Sequence, residues 1–324
     1  MKSYELVAKT IRGENPGQTP LYGWLTANLT RQLTEAYGSV ENFEDEYRFD
    51  AAHIFGGPWP YDGDAIEEIR RSEGEVTPEA LLDLPLRPTD NMEEYEGVKK
   101  ALDFYRTDRE RFCYMQTNGI FECLNGVFGI QDHLCYLMMY PDELAEVYRR
   151  QAEWNCKVAE NLISLGVDMI HVSDDWGGQH SMLFSPKLWW ELIYPNHKRI
   201  VDAVKKAGKF VSLHSDGNID AVLDGVVDLG YNLVHPYQES AGMSYQRYLQ
   251  NYADKFALMG GICVQTTLGF GNYEFLESEI RRVFSLLKGR RWVCCTSHFV
   301  QDHCSLEELK FAFDLARKLA DEPV

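Results

Sequence analysis

Short apolar segments alternate with longer amphipathic segments along most of this chain. The apolar segments are rich in β-branched and aromatic residues and end in Gly, Asn, Asp or Ser, as buried strands do. The segments between them have helical spacing; one of them begins at Pro141, continues to Leu165 and stops at Gly166. The pattern predicts eight strands, centred near residues 21, 52, 114, 170, 212, 233, 258 and 294.

The order of these elements indicates the fold class. Strands that alternate with helices predict an α/β protein with a parallel sheet, and eight repeats in one chain predict a closed (β/α)8 TIM barrel. An open doubly wound sheet is the alternative, but no strand is followed by a G-x-G-x-x-G or P-loop motif. We expect residues 1–324 to form a single barrel domain.

Residues 58–100 differ in character from the regular repeats. They are polar and acidic, with prolines at positions 60, 78, 85 and 88. This composition predicts loops and short helices rather than a further strand–helix repeat. We expect the segment to lie outside the barrel and partly over its mouth, where it would act as a mobile lid. A plain surface insertion is the alternative.

Charge and composition exclude several classes of protein. The net charge is −18, from 32 Lys and Arg against 50 Asp and Glu. Such a balance argues against a nucleic-acid or acidic-membrane surface, which needs a basic face. The chain has no apolar run near the roughly 18 residues of a membrane span and no signal-peptide core at its start. We expect a cytoplasmic protein whose eight cysteines, none in C-x-x-C spacing, are reduced thiols.

Polar residues follow most of the predicted strands. In a barrel these positions meet at one mouth. The stretch Phe210–Asn218 begins as a strand and ends in turn residues, and its His214 and Asp216 share a face if the strand persists that far. They could be two metal ligands, an acid–base pair, or a His bonded to a helix-capping Asp. The other strand-end residues are Asn118, Glu122, Asp174, Asp175, Gln179, His180, Asn218, Gln238, Glu239, Gln265, His298 and His303.

These residues supply carboxylates, imidazoles and amides, with almost no Lys or Arg among them. A site poor in cations is ill suited to a phosphate or a polycarboxylate. The composition favours a metal ion, or a neutral or cationic ligand.

Several motifs, in this order, resemble the uroporphyrinogen decarboxylase superfamily, which also contains zinc-dependent corrinoid methyltransferases. The resemblance extends from about residue 110 to the end. It implies a (β/α)8 barrel with an N-terminal helical extension, and a homodimer. The motifs are Asp-Asp-Trp-Gly-Gly-Gln at 174–179, Phe-Ser-Pro at 184–186, Tyr-Pro at 194–195, Leu-His-Ser-Asp-Gly-Asn at 213–218 and Gly-Gly-Ile at 260–262.

Two departures from the family pattern bear on function. The decarboxylase has N-terminal arginines that bind the carboxylates of its substrate, and residues 21–28 here contain none, so we do not expect porphyrinogen decarboxylation. The methyltransferases use His-x-Cys and a distant Cys as zinc ligands. The matching positions here are His214, Asp216 and, counted back from residues 306–309, His298. These ligands are harder than thiolates, so zinc is the first candidate and another divalent metal stays open.

The resemblance therefore implies a metal-dependent methyltransferase or demethylase. It would move a methyl group between a small methylated or methoxylated compound and a corrinoid protein or a thiol. Asp174, Asp175 and Glu122 would be catalytic, and the substrate would contact Asn118, Gln179, Gln238 and Gln265. Two alternatives are a metal-free decarboxylase or lyase that uses Asp174 and Asp175, and a non-catalytic binding paralogue.

Overall fold

Seven parallel strands form one curved sheet in the computed structural model, which describes residues 1–323. Each strand pairs with the next one in the chain, so the spatial order follows the sequence order. The result is a TIM-barrel-like α/β fold, as the alternation of elements predicted. The strands are β1 (Ala51–Ile54), β2 (Phe112–Asn118), β3 (Met169–Ser173), β4 (Phe210–His214), β5 (Leu233–His235), β6 (Ala257–Ile262) and β7 (Trp292–Thr296).

The predicted strand near residue 21 is reduced to a bridge. Leu21 makes an isolated parallel bridge to Cys294 on β7, and the Tyr22 amide donates to the Cys294 carbonyl at 2.8 Å. On the other side, the Asp50 amide donates to the Leu21 carbonyl at 2.9 Å. A regular strand does not form because Pro20 has no N–H, and because the Leu21 N–H donates to the Asp50 carboxylate at 2.9 Å. The segment therefore contacts both edges of the sheet without becoming an eighth strand.

Helices precede the sheet and connect its strands. Three of them, α1 to α3, come before β1, and α9 spans Pro141–Leu165 with Gly166 as its C-cap, as predicted. None of the helices in residues 1–323 combines the length and hydropathy needed to cross a bilayer. The helices are α1 (Ser3–Arg12), α2 (Thr26–Tyr37), α3 (Val40–Glu46), α4 (Gly63–Glu73), α5 (Pro78–Asp83), α6 (Glu96–Leu102), α7 (Phe121–Phe128), α8 (Ile130–Met139), α9 (Pro141–Leu165), α10 (Pro186–Leu188), α11 (Tyr194–Lys206), α12 (Leu223–Leu229), α13 (Tyr245–Asn251), α14 (Tyr273–Leu287) and α15 (Leu306–Asp321).

Trp24 connects the bridge segment to the inside of the sheet. Its side chain is buried, and its indole N–H donates to the hydroxyl of Tyr114 on β2 at 2.7 Å. The indole ring also stacks on the ring of His235 at the end of β5, with centroids 4.4 Å apart. A segment that forms no strand thus supplies a large side chain to the enclosed core.

The segment 58–100 is anchored to α9. The Arg150 guanidinium on that helix donates to the carbonyls of Leu82 and Leu84 at 2.7 and 2.8 Å, and the Trp154 indole donates to the Arg87 carbonyl at 2.7 Å. The segment consists of short helices and loops, as predicted. Its place over the barrel mouth and its role as a lid stay predictions.

Replacing Arg150 with Ala should loosen this segment. The substitution removes two charge-assisted hydrogen bonds, each worth about 1.5–3 kcal/mol, so amide exchange in residues 78–89 should accelerate roughly tenfold or more. Arg149→Ala is the matched control, because Arg149 makes only exposed ion pairs with Glu146 and Glu153 on its own helix. Equal exchange in the two variants, measured by mass spectrometry, would show that Arg150 is not an anchor.

Candidate metal centre

β4 brings His214 to the barrel mouth. The strand lies between β3 and β5, where its last residue, His214, pairs with Ser173 on one side and with His235 on the other. Burial leaves the His214 side chain only 4% exposed. The chain then turns at Gly217, whose φ is +76°, a left-handed conformation that favours glycine. Asp216 lies between the strand end and this turn.

His214, Asp216 and His298 form a cluster at this mouth, with one potential ligand atom from each residue within 4.8 Å of the others. The His214 Nε2 lies 3.9 Å from one Asp216 oxygen, and the His298 Nε2 lies 3.9 Å from the other. The structure thus brings the three sequence-predicted ligands together. Their role as metal ligands stays a prediction.

The donor set suits a divalent cation. Asp216 Oδ1 is buried and has no hydrogen-bond partner among the described residues, although buried polar atoms are normally paired. Ligand atoms on one tetrahedral zinc ion lie about 3.3 Å apart, so atoms that lie within 4.8 Å of one another would have to close by up to about 1.5 Å to reach ligand spacing. Two imidazoles and one carboxylate leave a fourth position for a substrate atom, as catalytic zinc sites do.

Burial and mutual repulsion shape the protonation of the site. Burial, with repulsion from Asp175 and Glu122, raises the pKa of Asp216 to about 8. Burial also raises the pKa of Glu122 to about 7 and that of Asp175 to about 6. The pKa of His214 is lowered by burial first and then by His298 and His53, so its imidazole is neutral, as a metal ligand must be. A cation at the cluster would relieve the repulsion among the carboxylates.

Asp174 and Asp175 have different surroundings although they are adjacent. Asp174 is fully buried, and its carboxylate accepts hydrogen bonds from the Trp176 indole at 2.8 Å and the Glu122 amide at 2.7 Å. His197 contributes a further contact at 2.7 Å. These bonds hold the loop after β3 against α7 and α11. The catalytic role of Asp174 stays a prediction, and its environment favours a positioning role.

Asp175 and Glu122 lie nearer to the cluster. Asp175 Oδ1 accepts a hydrogen bond from the Asp216 amide at 2.7 Å and lies 3.8 Å from His214 Nε2. The Glu122 carboxylate accepts a hydrogen bond from the Ser173 hydroxyl at 2.8 Å. Both carboxylates are thus near enough to Asp216 to raise its pKa by repulsion.

A pocket of about 640 Å³ opens beside the cluster. Of the described residues, no Lys or Arg lines it, and two of the candidate ligands, Asp216 and His298, form part of its wall. All three predicted glutamines line it as well. The lining residues are Gln179, Asp216, Gln238, Val264, Gln265, Thr266, Phe270, Ser297, His298, Gln301 and His303.

Asn118, the fourth predicted substrate contact, lies elsewhere. It lines a separate pocket of about 250 Å³ between the end of β2, the segment after β1 and helix α9. The backbone carbonyl of Asn118 also accepts a hydrogen bond from Asn155 on α9 at 2.9 Å. Its role as a substrate contact stays a prediction that the main pocket does not support.

Sequence reasoning missed the imidazoles inside the sheet. His53, His171 and His235 lie on β1, β3 and β5, and their rings cluster around Trp24 with centroids 4.4 to 6.0 Å from it. The sequence signal that could have identified His235 is its position. It is the last residue of β5, as His214 is the last residue of the neighbouring strand β4.

Comparison with known proteins agrees with this fold. Residues 112–319 match the family described as Uroporphyrinogen decarboxylase (URO-D). A methyltransferase from Methanosarcina mazei is similar in structure, with a TM-score of 0.77, 15% identity and 98% of each chain covered. A sugar phosphate isomerase/epimerase from Parabacteroides distasonis has a TM-score of 0.50 at 11% identity, covering 94% of this chain and 96% of its own. No curated protein gives a significant match in sequence.

Proposed function

The chain belongs to the uroporphyrinogen decarboxylase family, and on that premise we propose that it is a metal-dependent methyltransferase or demethylase. Its substrate would be a small methylated or methoxylated compound, and the methyl acceptor a corrinoid protein or a thiol. The observation that carries the proposal is the cluster of His214, Asp216 and His298, of which Asp216 and His298 line the 640 Å³ pocket. The structural likeness to a methyltransferase supports the fold of such an enzyme.

The cluster and the carboxylates beside it would have different roles. His214, Asp216 and His298 would hold the metal, which when bound supplies a Lewis acid that polarises the atom carrying the methyl group. Glu122 and Asp175 would hold and deliver the proton that the demethylated product needs, because burial raises the pKa of each towards neutrality.

The amides and one aromatic ring would bind the substrate. Gln238 is held in place, since its side-chain oxygen accepts a hydrogen bond from the Gly217 amide at 2.9 Å. Gln265 is held likewise by the Ser240 hydroxyl at 3.1 Å. Phe270, on the same pocket wall, supplies an apolar face. With four glutamine amides and no Lys or Arg among its described lining residues, the pocket suits a neutral or cationic substrate better than an anionic one.

A methyl-transfer assay tests the proposal. Protein loaded with Zn²⁺ would be incubated with cob(I)alamin and pairs of methoxylated or methylated compounds that differ only in a carboxylate or sulfonate group. We expect absorbance to report methylcob(III)alamin from a neutral or cationic member and not from its anionic partner. Chelator-treated protein is the control and should be inactive. Activity that survives complete removal of metal would contradict the proposal.

One observation favours a second candidate, a metal-free decarboxylase or lyase. The pKa values of about 7 for Glu122, 6 for Asp175 and 8 for Asp216 make this a cluster that can store protons near neutral pH. In that enzyme Asp175 would act with Glu122 rather than with Asp174, whose carboxylate is hydrogen-bonded to Trp176 and His197. Carbon dioxide release that is insensitive to chelator would identify this reaction. A non-catalytic paralogue would show neither activity.

A further inference from the structure

His214 makes one short contact away from the pocket. Its Nδ1 lies 2.8 Å from Nδ1 of His235, and the two imidazoles are nearly parallel, with an interplanar angle of 27°. The contact follows from the pairing of β4 with β5, in which His214 is opposite His235. The other ring nitrogen of His235, Nε2, lies 3.0 Å from the carbonyl oxygen of Thr296 on β7.

These contacts determine which nitrogens carry hydrogen. A carbonyl oxygen only accepts, so His235 Nε2 must donate to Thr296. His235 is fully buried and has no carboxylate partner among the described residues, so its ring is neutral and its Nδ1 has a lone pair. His214 Nδ1 must therefore donate to His235 Nδ1, which leaves the lone pair of His214 on Nε2, the atom that faces Asp216.

We propose that His235 is a positioning residue that sets the tautomer and the ring orientation of His214, so that His214 Nε2 presents its lone pair to a metal ion. The proposal rests on the metal site of the proposed function. A ligating imidazole commonly donates its second N–H to a carboxylate, a carbonyl or water. Here the acceptor is a second imidazole, that of His235, whose own orientation is fixed by its hydrogen bond to the Thr296 carbonyl.

The surroundings hold the hydrogen-bonded series His214–His235–Thr296 in place. Trp24 stacks on His235 and lies 5.2 Å from His214 between ring centroids. The Trp24 amide donates to the hydroxyl of Thr296 at 2.9 Å, so the same residue clamps both the ring and the strand end that bonds to it. Thr296, the last member of this hydrogen-bonded series, lies two residues before the third candidate ligand, His298. This short spacing connects the series to the cluster.

An inner metal site is the competing explanation. His171, His214 and His235 also place three ring nitrogens within 4.8 Å of one another, and His171 Nε2 is buried without a partner. However, the 2.8 Å between the two Nδ1 atoms is a hydrogen-bond distance and is shorter than the roughly 3.3 Å between ligands on one tetrahedral ion. The hydrogen bond is therefore the better account, and His171 becomes the matched control.

The first experiment reads the tautomers directly. Metal-free wild-type protein with ¹⁵N-labelled histidine would be studied by long-range ¹H–¹⁵N NMR, which separates protonated from lone-pair ring nitrogens. We expect His214 to carry its hydrogen on Nδ1 and His235 on Nε2. In His235→Leu the Nδ1–H form of His214 should lose its dominance. A dominant Nε2–H form of His214 in the wild type would overturn the proposal, whether or not the protein binds metal.

The second experiment measures Zn²⁺ affinity in four proteins, with Co²⁺ spectra as a probe of ligand geometry. His235→Leu should weaken binding about 10–100-fold and change the Co²⁺ spectrum, the usual cost of losing an outer partner. His235→Asn should stay near wild type, because its Oδ1 takes the acceptor position of Nδ1. His171→Leu should also stay near wild type. A loss in His171→Leu equal to that in His235→Leu would overturn the proposal in favour of the inner site.

The two experiments separate the proposals. If the NMR result is as expected and the wild type binds no metal, the proposed function fails. His235 would then still set the tautomer of His214, but only as part of the folded structure. If the wild type binds metal at His214 and His235→Leu binds it equally well, the proposed function stands and the positioning role of His235 fails.

Discussion

Replacing His214 with Ala should abolish tight metal binding while leaving the protein folded. The change removes one of three candidate ligands and leaves Asp216 and His298, of which His298 is 38% exposed. Loss of an outer partner alone costs about 10–100-fold in affinity, so loss of a ligand should raise the dissociation constant for Zn²⁺ at least about 100-fold. Elemental analysis and titration with a competing chelator measure this effect.

The fold should survive because the cost is local. His214→Ala leaves His235 Nδ1 without its donor, a loss of about 1–3 kcal/mol, which urea unfolding of metal-free protein would detect. His180→Ala is the control. His180 follows β3 in the sequence, as Asp175 does, but its side chain is exposed. If His214→Ala keeps the wild-type metal content, the cluster is not a metal site. That result would favour the metal-free decarboxylase or lyase, in which the carboxylates act as acid and base.

Replacing Gly177 with Ala should disrupt both the fold around the mouth and the metal cluster. A Cβ at residue 177 would lie 2.5 Å from the Asp216 carbonyl and 2.5 Å from the Asn218 amide. Both are backbone atoms, so the loop after β4 would have to move, and with it Asp216. We expect a loss of about 3 kcal/mol or more in the free energy of unfolding, together with weaker Zn²⁺ binding.

Two other glycines, Gly178 and Gly126, provide the controls for urea unfolding. At Gly178 a Cβ would lie 3.2 Å from the Ser181 carbonyl, so Gly178→Ala should cost clearly less than Gly177→Ala. At Gly126, within helix α7, a Cβ would meet no atom within 4 Å, so Gly126→Ala should stabilise by about 0.5–1 kcal/mol. A Gly177→Ala protein with the wild-type midpoint and metal affinity would show that the loop after β4 can shift freely.

The same contact explains why two separated glycine motifs occur together. Gly177, in the loop after β3, faces Gly217, in the loop after β4; a Cβ on Gly217 would lie 2.5 Å from the Gly177 carbonyl carbon. The close approach lets Asp175 accept a hydrogen bond from the Asp216 amide at 2.7 Å. The two loops thus act as one support for the candidate ligand on β4.

Local features of the chain were sufficient to predict most elements. Helix α9 was predicted from Pro141 to Leu165 because its signals, a first-turn proline and the C-terminal Gly166, lie within or beside the helix. The strand period places His214 at the end of β4 but does not extend to Asp216, because β4 ends at His214 and the loop after it brings Asp216 beside His214. The family was predicted from motifs after residue 110, and the match over residues 112–319 confirms it.

Contacts between distant residues decided the rest. Leu21 forms a bridge instead of a strand because Asp50 takes its N–H, and Asp174 is buried because Trp176 and His197 surround its carboxylate. The bond between His214 and His235 depends on the register of β4 against β5, which no local pattern specifies. A strand's period determines which residues share a face, but only the packing of strands and loops determines which of them meet, because those distances depend on register and loop path.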